Sequence, residues 1–560
     1  MDKELILKYA LQNAVKFNGK ANPSAVIGKL LAEDPSIKPK IKEVYREMAS
    51  IIKEVNSWPI EKQMKKIESL APELLEKKKV ERETKLPELR NTENVRMRFE
   101  PSPSGALHIG HAYVLSLNHL YCKKYNGKLI IRISDTNPEN IYPGAYELIK
   151  KDAEWLTNHG VDKFYIQSER LDLYYVYMKK LLDMGKAYIC TCNVEEFRKL
   201  NSKSLPCPCR ELPNEEQIKR WHLMFTKYKE GEAVARLKTN LKNKNPAMRE
   251  FPLFRIVEEE HPRQEKKFRV WPLMNMAVAV DDMDMEMNNI IRAKDHADNA
   301  KRQQMIFEIF EKPIPDTQFV GKTNFKDIVL SATQITQGIK EGKYSGWDDI
   351  SLPSLAALRR RGYTPEAFLK YTEDVGVSLT DKTIYKEDFF KALDHFNKEV
   401  IDDKTYRYFF IWDPVEIKIE NSPRQTVELD LHPDNEKGGR IFKITERFYI
   451  TRADYRELKD NKLYRMMDCL NFKKKGKKFI FDSLGYNIFK ERGEKIIHWL
   501  PKDENLINVM VLMPDKKTII GKGEPLLNNL KTGTIVQFER FGFCRLDEKE
   551  KKLVFWYGHK

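Results

Sequence analysis

Cysteine is scarce, seven in 560 residues, and an odd number this small in so long a chain excludes a disulfide framework and fits a reducing compartment. Apolar runs are short: none approaches the roughly 18 residues that a membrane-spanning helix needs. The start, Met1-Asp2-Lys3-Glu4, lacks the basic and apolar regions of a secretory leader, so a cytoplasmic location is expected. Acidic residues are in deficit, 83 Asp+Glu against 99 Lys+Arg, leaving a formal charge of +16 and a pI near 9.1. That imbalance favours a polyanionic partner or an acidic surface, without choosing between nucleic acid and membrane. A chain of this length exceeds one core and is read as three or four domains.

The most informative run is Arg98-Phe-Glu-Pro-Ser-Pro-Ser-Gly-Ala-Leu-His-Ile-Gly-His111. An apolar segment ends in a Pro/Ser/Gly turn, then two histidines flank Ile-Gly at the start of a helical stretch over 112–125. Free backbone N–H groups at a helix start suit a polyphosphate. Gly110 permits close backbone approach, and His108 and His111 can donate to oxygens that gain negative charge as an α-phosphate is attacked.

This run resembles the HIGH element of class I aminoacyl-tRNA synthetases, and its lead-in resembles the glutamyl/glutaminyl branch. The resemblance implies attack of a substrate carboxylate on the α-phosphate of ATP, with Mg²⁺, and then transfer of the acyl group to the terminal ribose of tRNA. It implies ATP contacts from Ser102, Gly105, His108, Gly110, His111, Leu330 and Ser331, with His108, His111 and Ser331 catalytic. It implies glutamate contacts from Arg98, Ser102, Ser134, Asp135, Met274 and Arg292. Arginine suits a dicarboxylic substrate because its planar fork grips a carboxylate at two points.

The expected fold class is multidomain α/β plus β: a Rossmann-like catalytic domain, a helical N-terminal appendage and C-terminal anticodon-binding β-barrels. Residues 1–90 form the appendage and a charged linker; apolar residues at helical spacing (Leu5, Leu7, Ala10, Leu11, Ala14, Val15) support helices, and 5–31 resemble the extension of archaeal glutamyl enzymes. Strand and helix patterns alternate over 91–187, implying a parallel sheet with ligands beyond its carboxyl ends. A polar insertion over 188–270 follows, which the resemblance places against the tRNA acceptor stem. The α/β pattern returns over 271–335, beginning at 270–280. A helical connection over 336–399 leads to 400–560, where short aromatic-rich strands and turn signals predict barrels. Segments 405–415, 427–434 and 536–547 resemble the anticodon barrels of glutaminyl and archaeal-type glutamyl enzymes.

Two departures from the family pattern stand out. In Ile131-Arg-Ile-Ser-Asp-Thr-Asn-Pro138, Ser134 replaces the acid that in this family faces the α-ammonium, which weakens that contact or passes it to Asp135. In Ile328-Val-Leu-Ser-Ala-Thr-Gln-Ile335, the place of the KMSKS loop, Ala332 stands where a lysine steadies the departing pyrophosphate. Lys340, Lys343 or Mg²⁺ then has to replace it, or activation is slow. The downstream run Glu341 to Asp349 matches the family and fixes the register.

Cys190-x-Cys192 and Cys207-x-Cys209 read as tetrahedral thiolate ligands for zinc, with four merely buried thiols as the alternative. Cys122, Cys469 and Cys544 are expected to be packing residues. Basic and aromatic residues interleave at 358–363 and 471–479, where lysines and arginines suit phosphates and aromatic faces suit unpaired bases. The function expected is ligation of L-glutamate to tRNA(Glu), with tRNA(Gln) as a further candidate. The alternatives are a glutaminyl enzyme, whose barrels are the same, and a tRNA-binding paralogue that has lost activation, prompted by Ser134 and Ala332.

Overall fold

The computed structural model describes residues 3–16, 19–33, 41–71, 74, 86–502, 504–550 and 552–560. It divides into two compact units, 1–83 and 84–560. In the first, helices Lys3–Lys16, Pro23–Glu33, Ile41–Ser57 and Ile60–Leu70 bury Ile6, Leu11, Val26, Leu30, Met48, Val55 and Ile67 in one core. Buried Gln63 donates to the Val55 carbonyl at 2.8 Å, satisfying a carbonyl at the end of the third helix. Most of the charged linker expected at 76–90 lies outside the described residues.

The second unit opens with β1 (Arg96–Phe99), α1 (Ile109–Lys124), β2 (Lys128–Ile133), α2 (Ala145–Leu156), β3 (Lys163–Ile166) and α3 (Leu171–Asp183). The three strands are parallel and adjacent in chain order. Near-continuous apolar strands suit such a sheet, covered on its faces by helices; Met97, Phe99, Leu129, Ile131 and Ile133 are all buried with Leu115 and Tyr121 of α1.

The chain then makes a separate four-stranded antiparallel sheet from β4 (Ala187–Cys190), β5 (Val234–Leu237), β6 (Pro252–Ile256) and β7 (Val270–Pro272). The strand at 270–272, expected to resume the parallel pattern, pairs instead with β6, because its register is fixed by Phe254 opposite Pro272. The return begins one element later, with α4 (Met274–Asp284), β8 (Asn289–Ala293), α5 (Ala297–Ile309) and β9 (Asp316–Val320). β8 and β9 are parallel to one another, and Asn288 holds them beside β1: its Oδ1 accepts from Arg96 N–H at 2.8 Å. The crevice beyond β1 and β8 is where the strand order switches, and ligands of open α/β sheets bind there. Helices α6 (Ala332–Lys340) and α7 (Leu355–Arg360) follow.

From residue 407 two seven-stranded, mostly antiparallel sheets form, plus the hairpin Gln425–His432/Asn435–Ile444. The aromatic run at 408–411 serves both cores by strand alternation: Tyr408 and Phe410 enter one cluster, Phe409 and Ile411 the other. The lysine-rich stretch at 471–479 is a hairpin, Lys475 opposite Lys478, turned by Gly476 at a φ of 59°. Among the described residues no helix is long and apolar enough to cross a membrane.

His498 sits inside this barrel region, fully buried, its Nε2 3.0 Å from the Phe410 carbonyl. Burial and the Arg540 guanidinium hold its pKa down to about 4, and burial does the same for His559. A depressed histidine lets the unfolded chain bind the extra proton first, so stability present above about pH 6.5 is lost as pH falls toward 4, by on the order of 3 kcal/mol per histidine. His498→Asn is therefore expected to be less stable at pH 7 yet to lose less between pH 6.5 and 4.5 than the wild-type chain. Thermal melts across that range check it; parallel curves would remove His498 from the account.

Candidate active site

The carboxyl ends of β1 and β2 are latched together by backbone: Ser134 N–H donates to Pro101 O at 2.9 Å and Tyr142 N–H to Pro103 O at 2.8 Å. The far end of the Pro/Ser/Gly turn is pinned to the segment entering α7, with Ile109 N–H on Pro353 O at 3.2 Å and Leu355 N–H on Leu107 O at 2.8 Å. Gly105 lies against the Trp347 indole so closely that a β-carbon would overlap the ring. Trp347 is itself 6% exposed and has little room to retreat. Gly105→Ala is expected to cost about 1–3 kcal/mol as an overpacking change and to shift the turn away from α1. Melting temperature and amino-acid activation should fall together; a fully active, equally stable variant would show that the turn tolerates the displacement.

His108 is the N-cap of α1. Its Nδ1 accepts from Gly110 N–H at 3.1 Å, while His111 Nδ1 faces the His108 N–H at 3.3 Å. The rings stack with centroids 3.8 Å apart. A ring nitrogen that accepts carries no proton, so the neutral tautomer places the hydrogen on Nε2 in both rings. Burial, and for His108 the neighbouring His111, push both pKa values down, His111 to about 4. The pair therefore presents two neutral N–H donors beside a helix N-terminus, an arrangement suited to developing charge on a phosphate.

Across the crevice lies a buried charge cluster. Arg98 is 4% exposed and forks onto Asp282 at 3.0 and 3.2 Å. Arg132, wholly buried, reaches Asp282 at 2.8 Å and Glu100 at 3.0 Å. Asp281 receives Arg170, Tyr174 and Gln167. Arg292 differs from Arg98, Arg132 and Arg170 in having no ion pair among the described residues: Nη1 donates to Gln303 Oε1 at 2.9 Å, and its buried Nε, like that of Arg132, has no hydrogen-bond partner there. Burial first, then the repulsion of Arg98, lower its pKa to about 10, against the opposing pull of Glu100 and Asp282.

Of the residues expected to hold substrate, Arg98, Ser134 and Arg292 border the charge cluster, and the set differs in availability. Ser102 is exposed and Met274 is 37% exposed at the start of α4. Arg98 is engaged by two internal carboxylates, Asp282 and, at 3.5 Å, Glu100. Asp135, 1% exposed, accepts from Tyr146 at 2.8 Å and twice from Ser168 at 2.7 Å, so its carboxylate stabilises the turn. Ser134 donates to Gln167 Oε1 at 2.9 Å. Ser331 caps α6, its Oγ accepting from Gln334 N–H at 3.4 Å, with Leu330 half-buried just before it. Lys340 lies at the opposite end of that helix, about 12 Å along the axis, whereas Lys343 lines a cavity of about 400 Å³ with Ile328 and Val329. Glu100, Arg132, Gln167, Asp281 and Asp282 escaped the sequence reading; a charge inside an apolar run, such as Arg132 in β2 or the Asp pair in α4, was the available signal.

In the insertion, the sulfurs of Cys190, Cys192, Cys207 and Cys209 all lie within 4.8 Å of one another, with Cys190–Cys207 at 3.9 Å and Cys192–Cys209 at 3.6 Å. Arg220 Nη1 stands 3.3 Å from the Cys209 sulfur, and Cys209 is held far toward the thiolate by bonds from the neighbouring thiols.

Comparison with known proteins agrees along the whole chain. Residues 94–403 match the family model for the catalytic domain of class I (E and Q) tRNA synthetases. Residues 405–483 and 496–547 match the two models for the anticodon-binding domain of the same enzymes. The chain is 41% identical over 563 residues to a glutamate–tRNA ligase of Methanocaldococcus jannaschii, covering all of both proteins. It is 39% identical to one of Methanobrevibacter smithii, covering all of this chain and 99% of that one, and 41% identical to one of Pyrococcus abyssi, covering all of both.

Proposed function

The chain belongs to the class I tRNA synthetases of the glutamyl and glutaminyl branch, and from that premise we propose that it ligates L-glutamate to tRNA(Glu) through a glutamyl-adenylate. Full-length similarity to glutamate–tRNA ligases, rather than to one domain of them, carries the choice of amino acid. The relatives' names give no reason to add tRNA(Gln). In this reading ATP lies along the Pro/Ser/Gly turn and the start of α1, touching Ser102, Gly105, His108, Gly110, His111, Leu330 and Ser331. Glutamate lies between Ser102, Ser134, Met274 and Arg292, with Arg98 and Asp135 building the walls.

The glutamate α-carboxylate attacks the α-phosphorus, the bond to the β-phosphate oxygen breaks, and pyrophosphate leaves. His108 and His111 donate from Nε2 to the oxygens that gain charge. Mg²⁺ entering on the ATP phosphates would withdraw charge from the same oxygens. With Ala332 in place of a lysine, the leaving group meets the free N–H groups of α6 behind its Ser331 cap, and both candidate lysines border the loop, Lys343 beside Ile328 and Val329 and Lys340 beside Ala332 and Thr333.

The boundaries at 90, 187, 270, 335 and 399 belong to the same proposal, with 188–270 reading the acceptor stem and 400–560 the anticodon. The cysteine cluster suits zinc as a brace for that insertion: a tetrahedron with Zn–S of about 2.3 Å has edges of about 3.8 Å, a length that falls between the 3.6 and 3.9 Å separations. Elemental analysis is expected to find stoichiometric zinc, lost in Cys207→Ser together with protection of the insertion from proteolysis; a metal-free wild-type protein with the same protection would reject the zinc. Pyrophosphate exchange with glutamate or glutamine, each with tRNA present, tests the main reading, and exchange with glutamine alone would overturn it.

A further inference from the structure

Glutamate has to be held at both ends, its side-chain carboxylate by a cation and its α-ammonium by an anion. Arg292, with its unpartnered Nε, meets the first need. The second has no obvious answer, because Ser134 is neutral and both oxygens of Asp135 are taken by Tyr146 and Ser168. Asp281 is fully buried under Arg170, Tyr174 and Gln167. Asp282 is 1% exposed and covered by Arg98 and Arg132.

Glu100 is different. Among Glu100, Asp281 and Asp282 it is the carboxylate that reaches the crevice, at 10% side-chain exposure against 0% and 1%. Its Oε2 takes Arg132 at 3.0 Å and lies 3.5 Å from Arg98 Nη1, and its Oε1 takes Gln167 Nε2 at 3.2 Å. Each oxygen keeps acceptor capacity, since an ionised carboxylate offers about four lone-pair sites. The other end of Gln167 receives the Ser134 hydroxyl, so one amide bridges Ser134 to Glu100. That hydroxyl donates to Gln167 and leaves its own oxygen free to accept. Glu100 and Asp282 both act electrostatically on Arg292, and Glu100 is the more exposed of the two.

We propose that Glu100 is the anion that receives the α-ammonium of the amino acid, with the Ser134 hydroxyl as a second acceptor, so that the charge absent from position 134 is supplied from β1's end of the crevice. This rests on the reading of the site as one that activates glutamate. Arg132, pinned by Asp282, fixes the Glu100 carboxylate, and Gln167 sets its second oxygen.

The test pairs Glu100→Gln with Glu100→Gln/Ser134→Glu, measuring pyrophosphate exchange and inhibition by glutarate, which has both carboxylates but no ammonium. Glu100→Gln is expected to raise KM for glutamate about 10- to 100-fold, the effect of losing one charge-assisted contact, while KM for ATP and the glutarate inhibition constant stay within about twofold. Glutamate KM should recover when Ser134→Glu restores a carboxylate. An unchanged glutamate KM in Glu100→Gln overturns the proposal. So does a parallel loss of glutamate and glutarate binding that Ser134→Glu leaves uncorrected, because Glu100 would then only be holding Arg98 and Arg132. Wild-type exchange with glutamate is the control: its absence overturns the ligase reading and this inference together, whereas normal wild-type exchange with an indifferent Glu100→Gln overturns this inference alone.

Discussion

His108→Ala is expected to lower kcat for glutamyl-adenylate formation by two to three orders of magnitude, about 3–4 kcal/mol, and to leave tRNA affinity within about twofold. The structural part of the change is smaller, since losing an N-cap costs about 1 kcal/mol and the backbone latches on Pro353 and Leu107 remain. The difference between those magnitudes is what makes kcat informative. The loss should be in kcat and kcat/KM equally, as for an interaction made only in the transition state. His108→Asn, which keeps a donor near the same place, should recover part of it. Because His111 titrates near 4 and His108 is also depressed, the pair is neutral across pH 6–8, and the wild-type rate should show no histidine limb there. An acid limb near 6.5 that vanished in His108→Ala would show that the ring works as a cation. Unaltered turnover in His108→Ala would remove it from the chemistry.

How much of this was legible beforehand depends on where the information sits. The strands at 128–133 and 163–166 and the helices over α2 and α3 were readable because their apolar periodicity is local. The two histidines were readable because a helix start, a glycine and a Pro/Ser turn are contiguous in sequence. The strand at 270–272 was misassigned for the converse reason: its three buried residues suit either sheet, and only its partner β6, fourteen residues upstream at its near end, decides. The charge cluster is less visible still. Arg98, Arg132, Arg292, Glu100 and Asp282 come from four elements spread over nearly two hundred positions, and which arginine is left without a carboxylate is a property of their packing. The sequence treated Arg98 and Arg292 alike; the fold gives Asp282 to one and leaves the other's Nε unmatched. Asp135 likewise lies in the expected turn, but Tyr146 and Ser168, eleven and thirty-three residues away, absorb its charge.

That asymmetry sets the second large effect. Arg292→Lys should reduce kcat/KM for glutamate by about 10²- to 10⁴-fold, since a guanidinium can grip the side-chain carboxylate at two points and an ammonium cannot, with KM for ATP and tRNA affinity little changed. The pH dependence separates this from simple loss of packing. The surroundings already bring the arginine down from its usual 12.5 to about 10, and it remains charged throughout the working range. The same burial and the same repulsion from Arg98 acting on a lysine, ordinarily near 10.4, would bring it to about 8. The lysine variant should therefore regain activity as pH falls below about 8 and lose it above, while the wild-type rate stays flat. An incoming carboxylate stabilises the charged form, so saturating glutamate should move the midpoint upward and make the variant's kcat less pH-sensitive than its kcat/KM. If Arg292→Lys matched the wild-type kcat/KM for glutamate at pH 7 and at pH 9, the side-chain carboxylate would have to be held elsewhere in the crevice. Arg98 would then have to release Asp282 to take it.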